Sequence, residues 1–258
     1  MNLFSIKDKV ALVTGGYGHL GKSITSALSK AGAMVVVLGK NKDKFEAAFD
    51  DKNNLNVCFQ ECDISSTESI ARGYEAVLKK YNRLDILVNN AVYLQGRGSE
   101  PISDTDWQYS IDGCLTSVYR CIREIIPYFK TNEISKIINV SSMYGIVAPD
   151  FNIYSGFEQY TNHPGYGAAK AGVIQLTKYF ASSLRQHNIL VNTVSPGAFP
   201  SEEVQKSKGF IENLSKKSLL GRIGKPEDLQ GVFVFLSSSA SDFITGQNIA
   251  VDGGWTVI

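Results

Sequence analysis

The chain lacks the residues and segments on which metal, membrane and nucleic-acid sites depend. Its 258 residues include three scattered histidines, His19, His163 and His187, and four cysteines that are not at ligand spacing with them, so we expect no bound metal. No apolar run approaches the roughly 18 residues of a membrane span, and the N-terminus lacks the apolar segment of a signal peptide. The 26 basic and 25 acidic residues give a net charge of +1, which provides no attraction to nucleic acid or an anionic membrane. We therefore expect a cytoplasmic protein with reduced thiols.

Short apolar runs alternate with helical patterns along the whole chain. The run Lys9–Thr14 ends in glycines, as buried parallel strands do, and apolar residues then recur at helical spacing from Leu20 to Ala31. Further strands are predicted at 33–38, 55–59, 84–88, 136–140, 189–194 and 248–251, and further helices at 66–81, 104–130, 166–187 and 226–236. This order predicts one α/β domain over residues 1–258. We expect a doubly wound parallel sheet (a Rossmann fold) of about seven strands, with helices on both faces.

Residues 200–220 interrupt this alternation. The segment carries four lysines, at positions 206, 208, 216 and 217, among scattered apolar residues. It follows the carboxyl end of a predicted strand, where open α/β sheets bind their ligands, so we interpret it as a flap on the substrate side. The alternative is a solvated surface helix.

Two motifs carry the functional argument. Thr14-Gly-Gly-Tyr-Gly-His-Leu-Gly21 joins the first strand to the first helix, and such a turn presents backbone N–H groups to a pyrophosphate. Tyr166-Gly-Ala-Ala-Lys170 places a phenol and an ammonium on one helix face. The ammonium stabilises the phenolate, which makes the phenol a proton donor near neutral pH. Together the motifs indicate hydride transfer to or from a carbonyl.

Other short motifs occur in the same order as in a known family. They are Cys62-Asp63, Asn89-Asn90-Ala91, Ser141-Ser142, Pro196-Gly197 and Val251-Asp252-Gly253-Gly254. With these, essentially the whole chain resembles a short-chain dehydrogenase/reductase, of the kind found among 3-oxoacyl-carrier-protein reductases and gluconate 5-dehydrogenase-like sugar dehydrogenases. The resemblance implies a homodimer or homotetramer, with helices 104–130 and 166–187 forming the dimer face.

The resemblance also implies roles for individual residues. Ser142 would orient the substrate carbonyl, Tyr166 would donate or remove the proton, and Lys170 would hold the ribose hydroxyls of the cofactor. The predicted cofactor-binding residues are Gly15, Tyr17, His19, Leu20, Gly21, Lys40, Asp63, Ile64, Asn90, Ala91, Tyr166, Lys170, Pro196, Gly197 and Ser201.

The end of the second strand bears on the choice of cofactor. An NAD-specific site places a carboxylate there to bind the ribose 2′-hydroxyl, whereas this chain has Gly39 followed by Lys40. A cation without a carboxylate suits a 2′-phosphate, so we predict NADP(H) over NAD(H). The alternative is that Lys40 is only a surface charge.

The chain departs from the family pattern at several positions. His19 replaces the middle glycine of the cofactor turn, with Gly18 beside it, and Val92 replaces the glycine that follows Asn-Asn-Ala. Cys114 falls where the family has the asparagine of a catalytic tetrad. A thiol is a poor substitute for a carboxamide, which puts the proton relay in doubt but not the Ser-Tyr-Lys group.

An insertion at 150–163 is the largest departure. Ser142 and Tyr166 lie 24 positions apart, more than is usual in the family. Because both ends of the intervening segment are predicted to be catalytic, the insertion must lie near the substrate. We predict that its Tyr154, Gln159, Tyr160 and Asn162 bind a hydroxylated ligand and that its Phe151 and Phe157 offer apolar faces. The alternative is a loop that packs on itself or on a second subunit.

These observations favour an NADP(H)-dependent oxidoreductase that acts on a carbonyl or secondary alcohol, with a polar, sugar-like small molecule as its substrate. A 3-oxoacyl-carrier-protein reductase is the enzymatic alternative, because lysines at the flap would suit an acidic carrier. A non-catalytic dinucleotide-binding protein is the alternative of another class, and the intact Ser142, Tyr166 and Lys170 argue against it.

Overall fold

A parallel sheet organises the protein, whose computed structural model describes residues 3–50, 55–96, 102–129 and 134–258. The strands are β1 (Val10–Thr14), β2 (Met34–Gly39), β3 (Val57–Glu61), β4 (Ile86–Asn89), β5 (Ser135–Val140), β6 (Ile189–Pro196) and β7 (Asn248–Val251). Within the described residues these seven strands form one sheet in the order β3-β2-β1-β4-β5-β6-β7, with every pair parallel. The order reverses direction after β3, which confirms the predicted doubly wound fold.

Helices connect the strands. They are α1 (His19–Lys30), α2 (Lys42–Ala48), α3 (Thr67–Tyr81), α4 (Asp104–Ile111), α5 (Ser117–Phe129), α6 (Pro164–Ser183), α7 (Glu202–Gln205), α8 (Lys208–Lys217) and α9 (Gln230–Ser237). The long helix predicted at 104–130 is α4 and α5 joined by a π-helical segment, Asp112–Thr116, and its predicted last residue lies outside the described ranges. None of the helices in the described residues is long and apolar enough to cross a bilayer.

Two hydrophobic clusters hold the helices on opposite faces of the sheet. On one face, Leu12 and Leu87 pack with Ile122 of α5 and other residues of α3 and α6. On the other face, Val13 packs with Ile24 of α1 and residues of α9. Neighbouring residues of β1 thus point into different clusters, because side chains alternate across a strand. Both faces are covered, so the strands consist of continuous apolar runs.

A chain of buried hydrogen bonds attaches α6 to the sheet. Asn89, Asn139 and Thr193 are register partners on β4, β5 and β6. The Asn89 amide donates to Asn139 Oδ1 (2.8 Å), and the Asn139 amide donates to the hydroxyl of Thr177 on α6 (2.8 Å). The Thr193 hydroxyl also donates to that of Thr177 (2.7 Å). These bonds fix the rotation of α6 about its axis, and hence the face it turns to the sheet.

Ion pairs lie at the amino-terminal ends of the strands, which are called here the amino edge of the sheet. Asp85, just before β4, is 5% exposed and accepts hydrogen bonds from the backbone N–H of Val10 (2.8 Å) and the guanidinium of Arg83 (2.6 and 2.8 Å). Lys136, at the start of β5, is equally buried and pairs with Asp242 (2.6 Å). The hydrogen bonds to Asp85 outweigh the effect of its burial and hold the pKa of its carboxyl below the usual range.

Candidate active site

The glycine-rich turn after β1 forms one end of the site. Gly15 has φ +61°, and a Cβ on Gly21 would lie 2.2 Å from the Gly15 carbonyl oxygen, so both positions require glycine. Helix α1 starts at His19 after Gly18, which provides no side-chain cap. The N–H groups of residues 19–21 therefore remain available at the positive end of the helix dipole. The exposed His19 leaves this geometry intact, so the first departure from the family pattern does not remove the anion site.

Asn90 supports the turn from the neighbouring strand. Its amide donates to the carbonyl oxygens of Thr14 (3.0 Å) and Gly15 (3.1 Å), while the Thr14 hydroxyl accepts the backbone N–H groups of Asn90 and Ala91. The side chain of Asn90 is thus engaged with the protein. It shapes this end of the cavity by holding the glycine-rich turn in place.

A cavity of about 480 Å³ runs along the carboxyl ends of the strands. It is lined by Gly15, Tyr17, His19, Leu20, Gly21, Lys40, Asp63, Ile64, Asn90, Ala91, Tyr166, Lys170, Pro196 and Gly197, all predicted to bind cofactor. Ser201, also predicted, does not line it and is exposed just before α7. Sequence reasoning missed Val92, Tyr93 and Phe199 as lining residues, because an isolated aliphatic or aromatic residue gives no signal of ligand contact.

The end of β2 places Lys40 and Asp63 together. The Lys40 ammonium lies 3.7 Å from the Asp63 carboxylate, and the lysine side chain is 67% exposed. An exposed pair at this distance is weak, so Lys40 can reorient toward a ligand. The ring of Tyr17 covers Gly39, because a Cβ there would lie 2.5 Å from Tyr17 Cε1. A side chain at position 39 therefore requires Tyr17 to move.

Ser142, Tyr166 and Lys170 meet at the other end of the cavity. Ser142 follows β5, and α6 carries the other two residues. The Lys170 ammonium lies 5.7 Å from the centre of the Tyr166 ring and donates to the carbonyl oxygen of Val140 (2.8 Å). His163 caps α6, because its Nδ1 accepts the N–H of Gly165 (3.1 Å).

Burial dominates the ionisation of this group. It raises the pKa of the Tyr166 phenol to about 12, although a hydrogen bond with Ser142 opposes the shift. It lowers the pKa of Lys170 to about 8, and the nearby Cys114 opposes that shift. The sequence argument expected Lys170 to lower the phenol pKa. In this structure the desolvation of both groups outweighs their attraction, so the phenol stays protonated at neutral pH.

Cys114 lies in the π-helical segment beside these residues. It is fully buried, and its thiol donates a weak hydrogen bond to the carbonyl oxygen of Tyr93 (3.7 Å). The adjacent Gly113 allows this approach, because a Cβ there would lie 1.9 Å from the same oxygen. Burial raises the pKa of the Cys114 thiol, so it is a neutral donor. The Cys114 side chain, which stands where the family has an asparagine, therefore contacts the segment that follows β4.

The insertion packs tightly on the flap. On α8, the ring of Phe210 lies 5.5 Å from that of Tyr154, 5.6 Å from Phe157 and 4.7 Å from Tyr160, between ring centres. The Asn213 amide of α8 donates to the Ile153 carbonyl oxygen (3.1 Å). The insertion and the flap thus form one wall.

A hydrophobic cluster continues this wall toward the C-terminus. Trp255, 2% exposed, joins Phe210, Leu214 and Met143 in it. The hydroxyl of Tyr154 forms a hydrogen bond with that of Tyr144, which follows Ser142 by two residues. The Tyr154 hydroxyl is thus engaged with the protein, and its predicted contact with a ligand stays a prediction.

A second cavity, of about 440 Å³, lies between this wall and the Ser-Tyr-Lys group. It shares Ser142, Tyr166, Gly197 and Phe199 with the first cavity, so the two meet at these residues. The insertion contributes Tyr154 and residues 159–162 to its lining, and the flap contributes Val204, Phe210 and Leu214. Of the two phenylalanines predicted to contact a ligand, Phe151 is exposed and Phe157 packs on Phe210.

The doubly wound sheet and the glycine-rich turn at the carboxyl ends of its strands are typical of dinucleotide-binding proteins. Residues 18–256 match a family model described as enoyl-(acyl carrier protein) reductase. The chain belongs to the short-chain dehydrogenase/reductase family, whose members act on CH–OH and carbonyl groups.

Named relatives extend this result. A 3-oxoacyl-carrier-protein reductase FabG of Thermotoga maritima is 32% identical over 255 residues, which are 98% of this chain and 99% of that protein. A 2-dehydro-3-deoxy-D-gluconate 5-dehydrogenase of Dickeya dadantii is 32% identical over 263 residues, covering 99% and 98%. A gluconate 5-dehydrogenase of Burkholderia cenocepacia, solved with NADP and tartrate, superposes with a TM-score of 0.88 at 26% identity over 100% of this chain and 98% of that one.

Proposed function

We propose that this oxidoreductase is an NADP(H)-dependent carbonyl reductase or alcohol dehydrogenase with a polar, sugar-like substrate. The observation that carries the proposal is that Ser142 and Tyr166 line both cavities, at the place where the two cavities meet. One cavity begins at the glycine-rich turn and the other at the polar insertion. A substrate carbonyl bound at this meeting point would face the hydroxyl of Ser142 and the protonated phenol of Tyr166.

The roles of the three residues follow from their chemistry. When bound, the nicotinamide cofactor supplies or accepts the hydride. The Ser142 hydroxyl donates a hydrogen bond to the substrate oxygen and orients the carbonyl. Tyr166 gives its phenolic proton to that oxygen during reduction and removes it during oxidation. Lys170, held by the Val140 carbonyl, stabilises the resulting phenolate and binds the ribose hydroxyls.

The first cavity suits a dinucleotide with a 2′-phosphate. The unpaired N–H groups at the start of α1 suit a pyrophosphate, and Lys40 provides a cation at the end of β2. Two solved relatives, the gluconate 5-dehydrogenase and RhlG of Pseudomonas aeruginosa, are complexes with NADP. These observations support NADP(H) over NAD(H) for this chain.

The charges of the flap bear on the carrier-protein alternative. Lys206 pairs with Glu203, Lys216 with Glu212, and Lys217 with Asp150 of the insertion, at 2.5 to 3.5 Å between nitrogen and oxygen. Carboxylates therefore offset most of the basic rim that an acidic carrier would bind. This charge balance favours a small-molecule substrate. The similarity to FabG proteins supports the carrier-protein alternative, which the substrate panel below tests.

We also propose a cytoplasmic homodimer or homotetramer. All four cysteines are unpaired thiols, which supports a reducing compartment. Tyr119 of α5 and Tyr179 of α6 are 40% and 64% exposed on the helices predicted to form the dimer face. Light scattering at micromolar concentration tests the assembly, and a monomer would contradict it.

Oxidation of NADPH and NADH tests the activity against three carbonyl classes. The panel contains neutral keto-sugars, an acetoacetyl thioester and butane-2,3-dione. We expect NADPH to support reduction of the diketone and of at least one keto-sugar, with the keto-sugar giving the higher kcat/KM. Preference for the thioester would favour the carrier-protein reductase, and no turnover with bound NADPH would favour the non-catalytic alternative.

A further inference from the structure

We propose that Thr161 and Asn162 determine substrate specificity by binding hydroxyl groups of a polyhydroxylated carbonyl compound while its carbonyl faces Ser142 and Tyr166. The inference rests on the proposed function and deepens it. It selects two side chains from an insertion that is rich in polar groups, and it states the chemistry that they bind.

Both side chains lie at the second cavity without a protein partner. Thr161 is 2% exposed and Asn162 is half-buried, and both line the cavity beside Tyr166. Within the part of the chain that the structure describes, neither side chain makes a hydrogen bond. The unpaired polar atoms of both side chains keep some exposed surface, so a molecule in the cavity can reach them. A polar group in such a place gains most when a ligand supplies its partner.

Several other polar groups of the insertion are already engaged. The Tyr154 hydroxyl binds that of Tyr144, and the Asp150 carboxylate binds Asn152 and Lys217. The carboxylate of Glu158 accepts the N–H of Gly156.

Among the described residues, Gln159 and the Tyr160 hydroxyl also line the cavity without a side-chain hydrogen bond. Gln159 is exposed and the ring of Tyr160 is stacked on Phe210, whereas Thr161 is buried and Asn162 half-buried at the end of the insertion that adjoins Tyr166. Burial and position therefore favour Thr161 and Asn162.

The remaining lining gives the substrate a second requirement. Phe199 and the flap residues Val204 and Leu214 contribute apolar surface to the cavity. A molecule with hydroxyls along one edge and C–H groups on another face meets both kinds of lining, as sugars and cyclitols do. A thioester chain would leave the carboxamide of Asn162 without matching hydroxyl partners.

Packing keeps these groups in position. Tyr160 stacks on Phe210, with 4.7 Å between ring centres, and the Thr161 backbone N–H donates to the Glu158 carbonyl oxygen (3.0 Å). His163 caps α6 immediately after Asn162. Residues anchored on both sides lose little conformational freedom when a ligand binds, so their hydrogen bonds contribute to specificity at low entropic cost.

The experiment uses ketones that differ only in their hydroxyl groups. Erythrulose is butan-2-one with three added hydroxyls, and 2-keto-myo-inositol is cyclohexanone with five. The kcat/KM for NADPH-dependent reduction of each is measured in the wild type, Thr161→Val and Asn162→Ala. Asn152→Ala is the matched control, because Asn152 lies on the same insertion but is exposed and bonded to Asp150.

We expect the wild type to prefer the hydroxylated member of each pair. In each of the two variants, the hydroxylated-to-plain ratio of kcat/KM should fall about tenfold, mainly through the KM of the hydroxylated ketone, since one hydrogen bond to the ligand is lost. The Asn152→Ala control should keep the wild-type ratio. A ratio unchanged in both variants, or a wild type that prefers the plain ketones, would overturn the assignment. Absence of NADPH-dependent reduction of all four ketones and of butane-2,3-dione would instead contradict the proposed function.

Discussion

Polar groups at the amino-terminal ends of the strands (the amino edge) are paired within the protein, whereas several at the carboxyl-terminal ends (the carboxyl edge) have no partner among the described residues. At the amino edge, Asp85 and Lys136 are buried and each is matched by partners of opposite charge. At the carboxyl edge, the helix N-terminus at His19 and the side chains of Thr161 and Asn162 have no partners within the described residues, and Lys170 is bound only by a backbone carbonyl. Groups paired with one another contribute to stability, whereas unpaired groups in a cavity have binding capacity for a ligand.

This difference predicts which substitutions affect activity and which affect stability. A change at one of these unpaired groups removes no hydrogen bond within the protein. A change at Asp85 or Lys136 removes a buried side chain that is paired within the protein. The predictions below test this separation.

The largest effect is expected for Tyr166→Phe. The phenol is the proposed proton donor and Phe preserves the ring, so turnover should fall at least about 100-fold while the unfolding free energy changes little. NADPH binding, followed by fluorescence titration, should persist. Near-normal kcat in this variant would contradict the proposed proton transfer.

At the opposite edge, Asp85→Ala should destabilise the fold by roughly 2 kcal/mol, because it leaves the buried Val10 N–H without its acceptor and removes a paired, buried carboxylate. Urea denaturation measures the loss, and residual folded enzyme should keep its KM. Glu46→Ala, which removes an exposed pair with Lys42, is the control and should cost less than about 1 kcal/mol.

The stability due to Asp85 also has a pH dependence of defined sign. Its carboxyl pKa is lower in the folded state than the ordinary 3.8, so the stabilisation is complete above pH 3.8. It disappears as the pH falls through the folded pKa. The difference in unfolding free energy between wild type and Asp85→Ala should therefore shrink below pH 3.8, and a constant difference would argue against the ionic origin.

A smaller effect is expected from the titration of Lys170, whose pKa burial lowers to about 8. If the ammonium is needed, kcat/KM for reduction falls about tenfold per pH unit above that value, because kcat/KM reports ionisations of the free enzyme. Tyr166, with a pKa of about 12, stays protonated over this range. Lys170→Arg retains the charge and should lose this descending limb, and a flat wild-type profile up to pH 10 would exclude the assignment.

The smallest change is expected for Lys40→Ala. Loss of one exposed cation should reduce the preference for NADPH over NADH about fivefold, since a charge-assisted hydrogen bond to a phosphate is lost. Isothermal titration with both cofactors gives the ratio. Lys42→Ala, also exposed, is the control. Equal affinities in the wild type would remove the basis of the NADP(H) proposal.

The strands and the cofactor turn were predictable because their causes are local. Buried parallel strands consist of apolar runs, and positions such as Gly21 leave no room for a side chain. The π-helical segment at Cys114 was not predicted, because the spacing of apolar residues does not distinguish one π-helical turn from an α-helix. Ser201 does not line the cavity, and only the family resemblance had implied that it binds the cofactor.

The insertion shows why distant contacts escape a sequence reading. Its position between Ser142 and Tyr166 predicted that it lies beside these residues, but the sequence did not show that Tyr154 and Phe157 pack against Phe210, more than fifty positions away. Likewise, the pKa of Tyr166 depends on how much of the phenol is desolvated, which spacing along a helix does not reveal.

The buried indole of Trp255 gives the protein an intrinsic optical reporter. The chain has two tryptophans, and this one packs in the cluster that joins the insertion to the flap. Indole emission shifts to longer wavelength as water gains access. Exposure of Trp255 by a separation of that wall would therefore shift its emission wavelength without any added label. Stopped-flow fluorescence excited at the indole band can therefore test whether this wall separates when cofactor or substrate is added.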